Sequence, residues 1–447
     1  KDSGYRIDLS LDDNLHASLK IEEGIATGGR VHFGVSGYGA VTYDAIRMSG
    51  ELPFLDYGAW DTVTEEFGLI SDVSLEDEIA AHVASAELSV EEFLLYYLPL
   101  DDVEMLVTRG DDHWIARLRN EMLEGEGRIL DEDDAPLGVN LNWLSFESEG
   151  GALDPLYDVN PVEVADVNFS TEQLLLDGED FGHWSFKYRA TEHGGRFEDL
   201  AVVALGVQVA AGSLGEWHYK NGQHGSLFTG DIVIDDLAEA QQKFGFASSI
   251  EGEGLKLTAD VSWDGSPAMV DIERVSGEVE ILEGSGRFVQ AETGGALKLL
   301  GIFDFASLAR RFRLDFSDLI DDGFEFTDIQ GVISFDEGEV VVQEPIVIHG
   351  SSGKFTVGGG MNLVSNTLNN DKIVTLPVGR TLPWYAAYSA IATGPLAGAG
   401  VMLAQKVFEN QINQMSSAKY KISGSIEEPE IEFVTIFNDT VREAIPE

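Results

Sequence analysis

The sequence contains no cysteine and very little positive charge. Its 447 residues hold 28 Lys and Arg against 79 Asp and Glu, a formal net charge of −51. The missing cysteine excludes disulfides, thiolate metal centres and cysteine nucleophiles. It leaves the compartment open, because a chain of this length buries enough core without cross-links. The scarcity of cations excludes nucleic-acid binding, since phosphates would be repelled. It equally excludes bulk adsorption to anionic membranes. Prolines number 12 and glycines 49, a balance that suits many tight turns.

Reactive motifs are missing as well. There is no G-x-S-x-G elbow, no H-E-x-x-H, no phosphate loop and no G-x-G-x-x-G opening a helix. Gly350-Ser351-Ser352-Gly353-Lys354 copies part of a phosphate loop but lacks the upstream glycine, and it reads as a hairpin turn. His183, His193, His218 and His224 show no ligand spacing and read as turn and surface residues. Asp131-Glu132-Asp133-Asp134 lacks the spaced ligands and glycine of a calcium loop and reads as a solvated linker. No catalytic residue, metal site or cofactor is assigned. Carboxylate pairs for glycoside hydrolysis are too numerous by chance to single any out.

What is present is a globular hydrophobic content of 44%, with acidic residues spread along the whole chain. The spread reads as a solvated surface suited to high salt, as in a marine bacterium's exported protein. Strand signals dominate. Tyr5, Ile7, Leu9 and Leu11 alternate with polar residues, as do Trp184, Phe186 and Tyr188, and Leu255, Leu257, Ala259, Val261 and Trp263. Period two gives one apolar and one wet face, the mark of antiparallel sheets. Glycine turns are expected at Glu283-Gly284-Ser285-Gly286, Asp336-Glu337-Gly338 and Gly350-Ser351-Ser352-Gly353.

Helix signals are fewer: Asp235 to Phe244, Phe305 to Phe312 and Leu396 to Gln411. Ser89-Val90-Glu91-Glu92 forms a capping box, yet the bulky run Phe93 to Leu98 also suits a buried strand, and the residues alone leave both open. A loose repeat of meander units covers Asp101 to Arg128, Gly178 to Gly215, Gly254 to Gly286 and Thr327 to Leu363, starting roughly 75 residues apart. From Leu382 to Ala404 no residue is charged, and Gly394-Pro395 divides the run into a hairpin of two short helices rather than one span. Trp384, Tyr385 and Tyr388 are residue types found at lipid interfaces. Packing of this hairpin on the protein's own core is the alternative.

A set of blocks in the second half carries a family likeness. These are Gly295-Ala296-Leu297-Lys298-Leu299-Leu300-Gly301, Phe305 to Arg311, Leu314-Asp315-Phe316-Ser317-Asp318-Leu319 and Gly323-Phe324-Glu325-Phe326. Gly394 to Gly400, Leu403 to Val407 and Tyr420 to Ser425 follow in order. Gly50 to Asp56 with Trp60, and Asp154-Pro155 through Leu176, extend the likeness toward the start. The chain resembles the C-terminal part of the YhdP family, among the AsmA-like and TamB-related bacterial envelope proteins.

The resemblance implies a mainly β fold, an elongated, strongly curved antiparallel sheet forming an open trough, with a few short helices and a C-terminal helical hairpin. It favours strand for the capping-box segment. Four parts are expected: 1–234 and 235–380 as trough, 381–419 as a membrane-proximal tip, and 420–447 as final strand and tail. It implies phospholipid transport between inner and outer membrane, with no enzymatic activity. The acyl chains would run along an apolar lining for which the candidates are Ile7, Leu9, Leu11, Trp184, Phe186, Tyr188, Leu255, Leu257, Val261, Trp263, Phe355 and Val357. The tip, through Trp384, Tyr385, Tyr388, Ile391, Leu396, Val401 and Leu403, would meet the outer membrane or a partner there. Lys1-Asp2-Ser3-Gly4 shows no secretory signal. The chain is therefore expected to be a periplasmic piece of a longer Gram-negative protein, anchored in the inner membrane by a segment outside this sequence. The alternatives are a non-transporting scaffold for outer-membrane assembly and a secreted carbohydrate-binding β-protein.

Overall fold

The computed structural model describes residues 4–12, 14–35, 42–56, 82–95, 98–132, 135–147, 154, 156–243, 248, 250–289, 324–350, 353–375, 417–426, 429–436 and 441. Among them the chain is mainly β. It has 24 strands, mostly antiparallel and open rather than closed into a barrel, with one helix. The expected helices at Phe305 to Phe312 and Leu396 to Gln411, and the apolar run Leu382 to Ala404, lie outside the described residues.

The chain divides into two compact units, the first comprising Lys1–Ala152 and Asp158–Arg196 and the second Leu153–Tyr157 and Phe197–Glu447. The first unit opens with β1 (Tyr5–Leu11), β2 (Leu15–Glu22), β3 (Ile25–Phe33) and β4 (Ile46–Asp56). It continues with β5 (Val83–Leu95), β6 (Leu98–Arg109), β7 (His113–Arg119), β8 (Leu123–Leu130) and β9 (Leu137–Phe146). The short strands β10 (Val167–Thr171), β11 (Leu174–Leu176) and β12 (Glu179–Asp180) lead to β13 (His183–Thr191). The division falls inside β14 (Gly194–Ala204). The second unit holds β15 (Val207–Lys220), β16 (Gln223–Ile234), helix α1 (Leu237–Lys243), β17 (Ile250–Asp264) and β18 (Val275–Phe288). It ends with β19 (Phe324–Asp336), β20 (Glu339–Gly350), β21 (Gly353–Asn362), β22 (Thr367–Thr375), β23 (Ser417–Ser425) and β24 (Pro429–Ile436).

From β15 to β24 consecutive strands pair antiparallel throughout. The first unit departs from that plan. β4 pairs parallel with both β3 and β5, and β9 pairs parallel with β10 and β11. Parallel neighbours need longer connections than a hairpin, and period two alone does not report strand direction. The capping-box segment lies in β5, as the family likeness favoured: cross-strand neighbours override a local helix-start signal.

Turn chemistry explains the hairpins. Asn221 and Gly222 join β15 to β16, both at positive φ (55° and 80°), the pair a tight I′ turn requires. Glu337 and Gly338 do the same between β19 and β20, as expected. Gly350 of β20 pairs antiparallel with Gly353 of β21, so the two ends of the loop-like Gly350 to Lys354 belong to a hairpin. The expected turn at Glu283 to Gly286 is not one. Those residues lie inside β18, where its pairing with β17 shifts register between Glu253 and Leu257.

That shift belongs to a series that keeps the apolar side chains on one face. In β17, Ile250 and Gly252 are followed on the same face by Leu255 and Leu257, one residue out of phase, with Gly254 at φ 73° between them. In β18 the exposed neighbours Leu282 and Glu283 separate Ile281 from Gly284. β19 and β20 shift register in the same region. In the first unit Val90 faces Val103 and Phe93 faces Leu100, all four buried, with Glu91, Glu92, Asp101 and Asp102 exposed between the pairs. An unbroken period of two would place Phe93 and Leu100 on the wet face; the pairing keeps one register here, so both strands change phase together between Val90–Val103 and Phe93–Leu100.

Each unit has its own core. The first centres on Val90, Phe93, Leu100, Val103, Met105, Leu123 and Leu144. The second centres on Phe324, Phe326, Ile348, Phe355, Val357 and Ile422. Helix α1 is started by Asp236, whose Oδ1 accepts from the amides of Ala238 and Glu239 at 2.9 Å, and it buries Leu237 and Ala240.

Candidate functional site

The lining candidates fall on common faces within each unit. Ile7, Leu9 and Leu11 of β1 stand opposite Leu19, Ala17 and Leu15 of β2, which in turn face Gly29, Val31 and Phe33 of β3. This row is open: Leu9 is 56% and Leu11 64% exposed. On β13, Trp184, Phe186 and Tyr188 stand opposite Thr171, Phe169 and Val167 of β10, with Phe169 and Phe186 stacked at 4.8 Å.

In the second unit Leu255, Leu257 and Val261 of β17 face Ile234, Ile232 and Phe228 of β16. Leu257 and Val261 also face Ile281 and Gly277 of β18. These β17 residues are half-buried, whereas Phe355 (5%) and Val357 (0%) of β21 are packed in the core. The structure thus brings the candidates onto apolar faces in both units, but with unequal access. The tip candidates Trp384, Tyr385, Tyr388, Ile391, Leu396, Val401 and Leu403 lie outside the described residues.

The aromatic polar atoms are satisfied locally. Trp184 Nε1 donates to the Phe181 carbonyl at 2.8 Å and Trp263 Nε1 to the Ser266 carbonyl at 3.0 Å. The Tyr188 hydroxyl donates to the Pro161 carbonyl, and burial, aided by Asp166, raises its pKa above the ordinary tyrosine range.

The opposite faces are charged. Lys256 pairs with Glu283, and Arg287 with Glu251 at 2.7 Å. A depression of about 1020 Å³ on the first unit is lined by groups that include Arg30, His32, Glu104, Arg117, Arg119, Glu124 and Glu126. Arg117 contacts Glu126 at 3.4 Å and Arg119 contacts Glu124 at 3.5 Å. Its cations are thus largely matched by glutamates, which suits a solvated surface more than a phosphate site. Asp131, in the stretch expected to be a solvated linker, is exposed and accepts two bonds from Arg109 at 2.5 and 2.6 Å, which hold its carboxyl below the usual range.

Sequence reasoning missed a clasp in the second unit. Asp154 accepts from Ser266 Oγ at 2.6 Å and Ser266 N at 2.9 Å. Burial opposes its ionisation, but these bonds and one from the Leu156 amide prevail and keep its carboxyl below the ordinary range. His224 bonds the Tyr157 carbonyl through Nε2 at 2.8 Å and accepts from Trp217 Nε1 at 3.0 Å. Indole only donates and a carbonyl only accepts, so these bonds require neutral imidazole with its proton on Nε2. Partners 67 and 112 residues away carry no local sequence signal.

Among the described residues no cluster of His, Asp or Glu could hold a metal, and no helix is long and apolar enough to cross a membrane. Each unit offers an apolar surface of graded access and a charged reverse.

A family model described as YhdP protein matches residues 2–431. The intermembrane phospholipid transporter YhdP of Escherichia coli (strain K12) is 27% identical over 217 residues, which are 48% of this chain and 17% of that protein. The chain thus corresponds to only a small fraction of that relative's length. No solved structure matches. With its family model covering nearly all of its length, the chain belongs to the YhdP family.

Proposed function

We propose that this chain carries phospholipids between the inner and outer membranes of a Gram-negative envelope, with acyl chains held against its apolar sheet face in the periplasm and without chemical conversion of the lipid. An acyl chain in water costs ~0.8 kcal/mol per exposed CH₂, so transfer through an aqueous space needs a long apolar surface. The observation that carries the reading is the pair of unlike faces. Leu9 and Leu11 in the first unit and Leu257 and Val261 in the second remain accessible on an apolar face, while Arg117 and Glu126 in the first and Lys256 and Glu283 in the second lie on the charged one. Family membership and the relative named as a phospholipid transporter support the same reading. A headgroup kept in solvent at the rim needs no basic pocket, which reconciles transport with a charge of −51.

The test is a photo-crosslinking residue at Leu257 or Phe186 in cells. Captured phospholipid is the expected result, and its absence at every lining position refutes the reading. Charged replacements at Ile391 and Val401 test the proposed membrane-facing tip, and they should abolish function without unfolding the chain. A non-transporting scaffold is the second reading, favoured by the fully buried rows around Ile348 and Val357. The carbohydrate-binding alternative loses its support, because Trp184 and Trp263 are half-buried and bonded to main-chain carbonyls.

A further inference from the structure

Within the second unit, access to the apolar face changes from strand to strand. Leu257 and Val261 of β17, and Val279 and Ile281 of β18, are half-buried. On β20 and β21, Val342, Ile346, Ile348 and Val357 are buried, the last two at 0% exposure. Four phenylalanines stand near this change. Phe288 of β18 faces Phe324 of β19 across the ladder and lies 5.0 Å from Phe326 between ring centroids. The Phe324 ring meets Phe355 of β21 edge-on at 4.5 Å. It reaches across β20 because residue 350 is glycine, where a Cβ would lie 2.2 Å from the ring. All four phenylalanines are buried.

We propose that this aromatic cluster is a constriction on the lipid path. Acyl chains occupy the face over β17 and β18 and are held off β20 and β21 while Phe324 bridges to Phe355. The proposal rests on the lipid reading above. Its physical basis is packing: a close-packed cluster leaves no room for a methylene chain, so lipid enters only where rings are displaced or removed. The edge-to-face contact is a favourable aromatic geometry, so the closed arrangement is the resting one.

The experiment uses the whole chain and a phosphatidylethanolamine carrying a diazirine in one acyl chain. Labelled residues are located by mass spectrometry. In the wild type, label at Leu257 and Val261 should exceed that at Ile348 and Val357 by about tenfold, equivalent to ~1.4 kcal/mol of preference. Phe324→Ala should spread label to Ile348 and Val357 with β17 labelling retained, and Phe324→Leu should do so partially. Equal labelling of both sets in the wild type overturns the constriction while leaving lipid binding intact, and this result needs no variant to fold. An unchanged profile in folded Phe324→Ala also overturns it. Label on neither set refutes lipid binding, and the constriction with it.

Discussion

Single residues bear much of the strain of this architecture. Gly277 sits in β18 at φ 133°, and a Cβ there would lie 2.2 Å from the Asp260 carbonyl oxygen of the neighbouring strand. Gly277→Ala should destabilise the chain by ~1–3 kcal/mol, read as a lower urea midpoint with an unchanged slope. Tyr188 is 3% exposed and bonded to Pro161. Tyr188→Phe should cost about 1 kcal/mol through that lost bond. The folded state holds the phenolic proton more tightly than the unfolded chain, so this group's stabilisation is complete below the ordinary tyrosine range and declines as the pH rises above about 10. In the difference between wild type and variant, ultraviolet titration at high pH should show Tyr188 ionising after the ordinary tyrosines. A Tyr188 that titrates with them would show that burial is not what holds the proton.

At the scale of elements, capping and clasping decide how segments dock. Asp236 holds the first turn of α1, so Asp236→Ala should cost about 1 kcal/mol, measured by denaturant unfolding. Asp154 ties its segment to Ser266, and its lowered pKa means that the unfolded state binds the proton more readily. Its stabilisation is therefore complete above the ordinary value of 3.8 and is lost as the pH falls through and below it. Asp154→Asn should lower stability at neutral pH and flatten the acid limb of a stability-against-pH curve. An acid limb identical to the wild type would remove Asp154 from this role.

Over the whole molecule, an excess of 51 negative charges opposes compaction. Added salt screens this repulsion, with a Debye length of about 10 Å at 0.1 M and about 3 Å at 1 M. The melting temperature should rise steadily between 0.1 and 1 M NaCl, as a flat profile would not be consistent with surface repulsion as the main electrostatic term. The same acidity keeps the charged faces soluble while the apolar rows remain exposed.

The amino-acid sequence by itself determined the β class, the strands at Tyr5 to Leu11, Trp184 to Tyr188 and Leu255 to Trp263, the helix after Asp235 and the hairpin at Gly350, because each rests on neighbours within a few residues. It placed the lining candidates on apolar faces for the same reason: period two is a local property. Tertiary structure decided what depends on other strands. It put Glu283 to Gly286 inside β18, turned β4 parallel to its neighbours, and changed the phase of β5 and β6 together so that Phe93 and Leu100 stay on the buried face. It also left Leu257 half-open while closing Val357, although both stand in the same alternating pattern. Burial is set by which side chains cross from adjacent strands, as Phe324 does over Gly350, and no single strand's pattern contains that information.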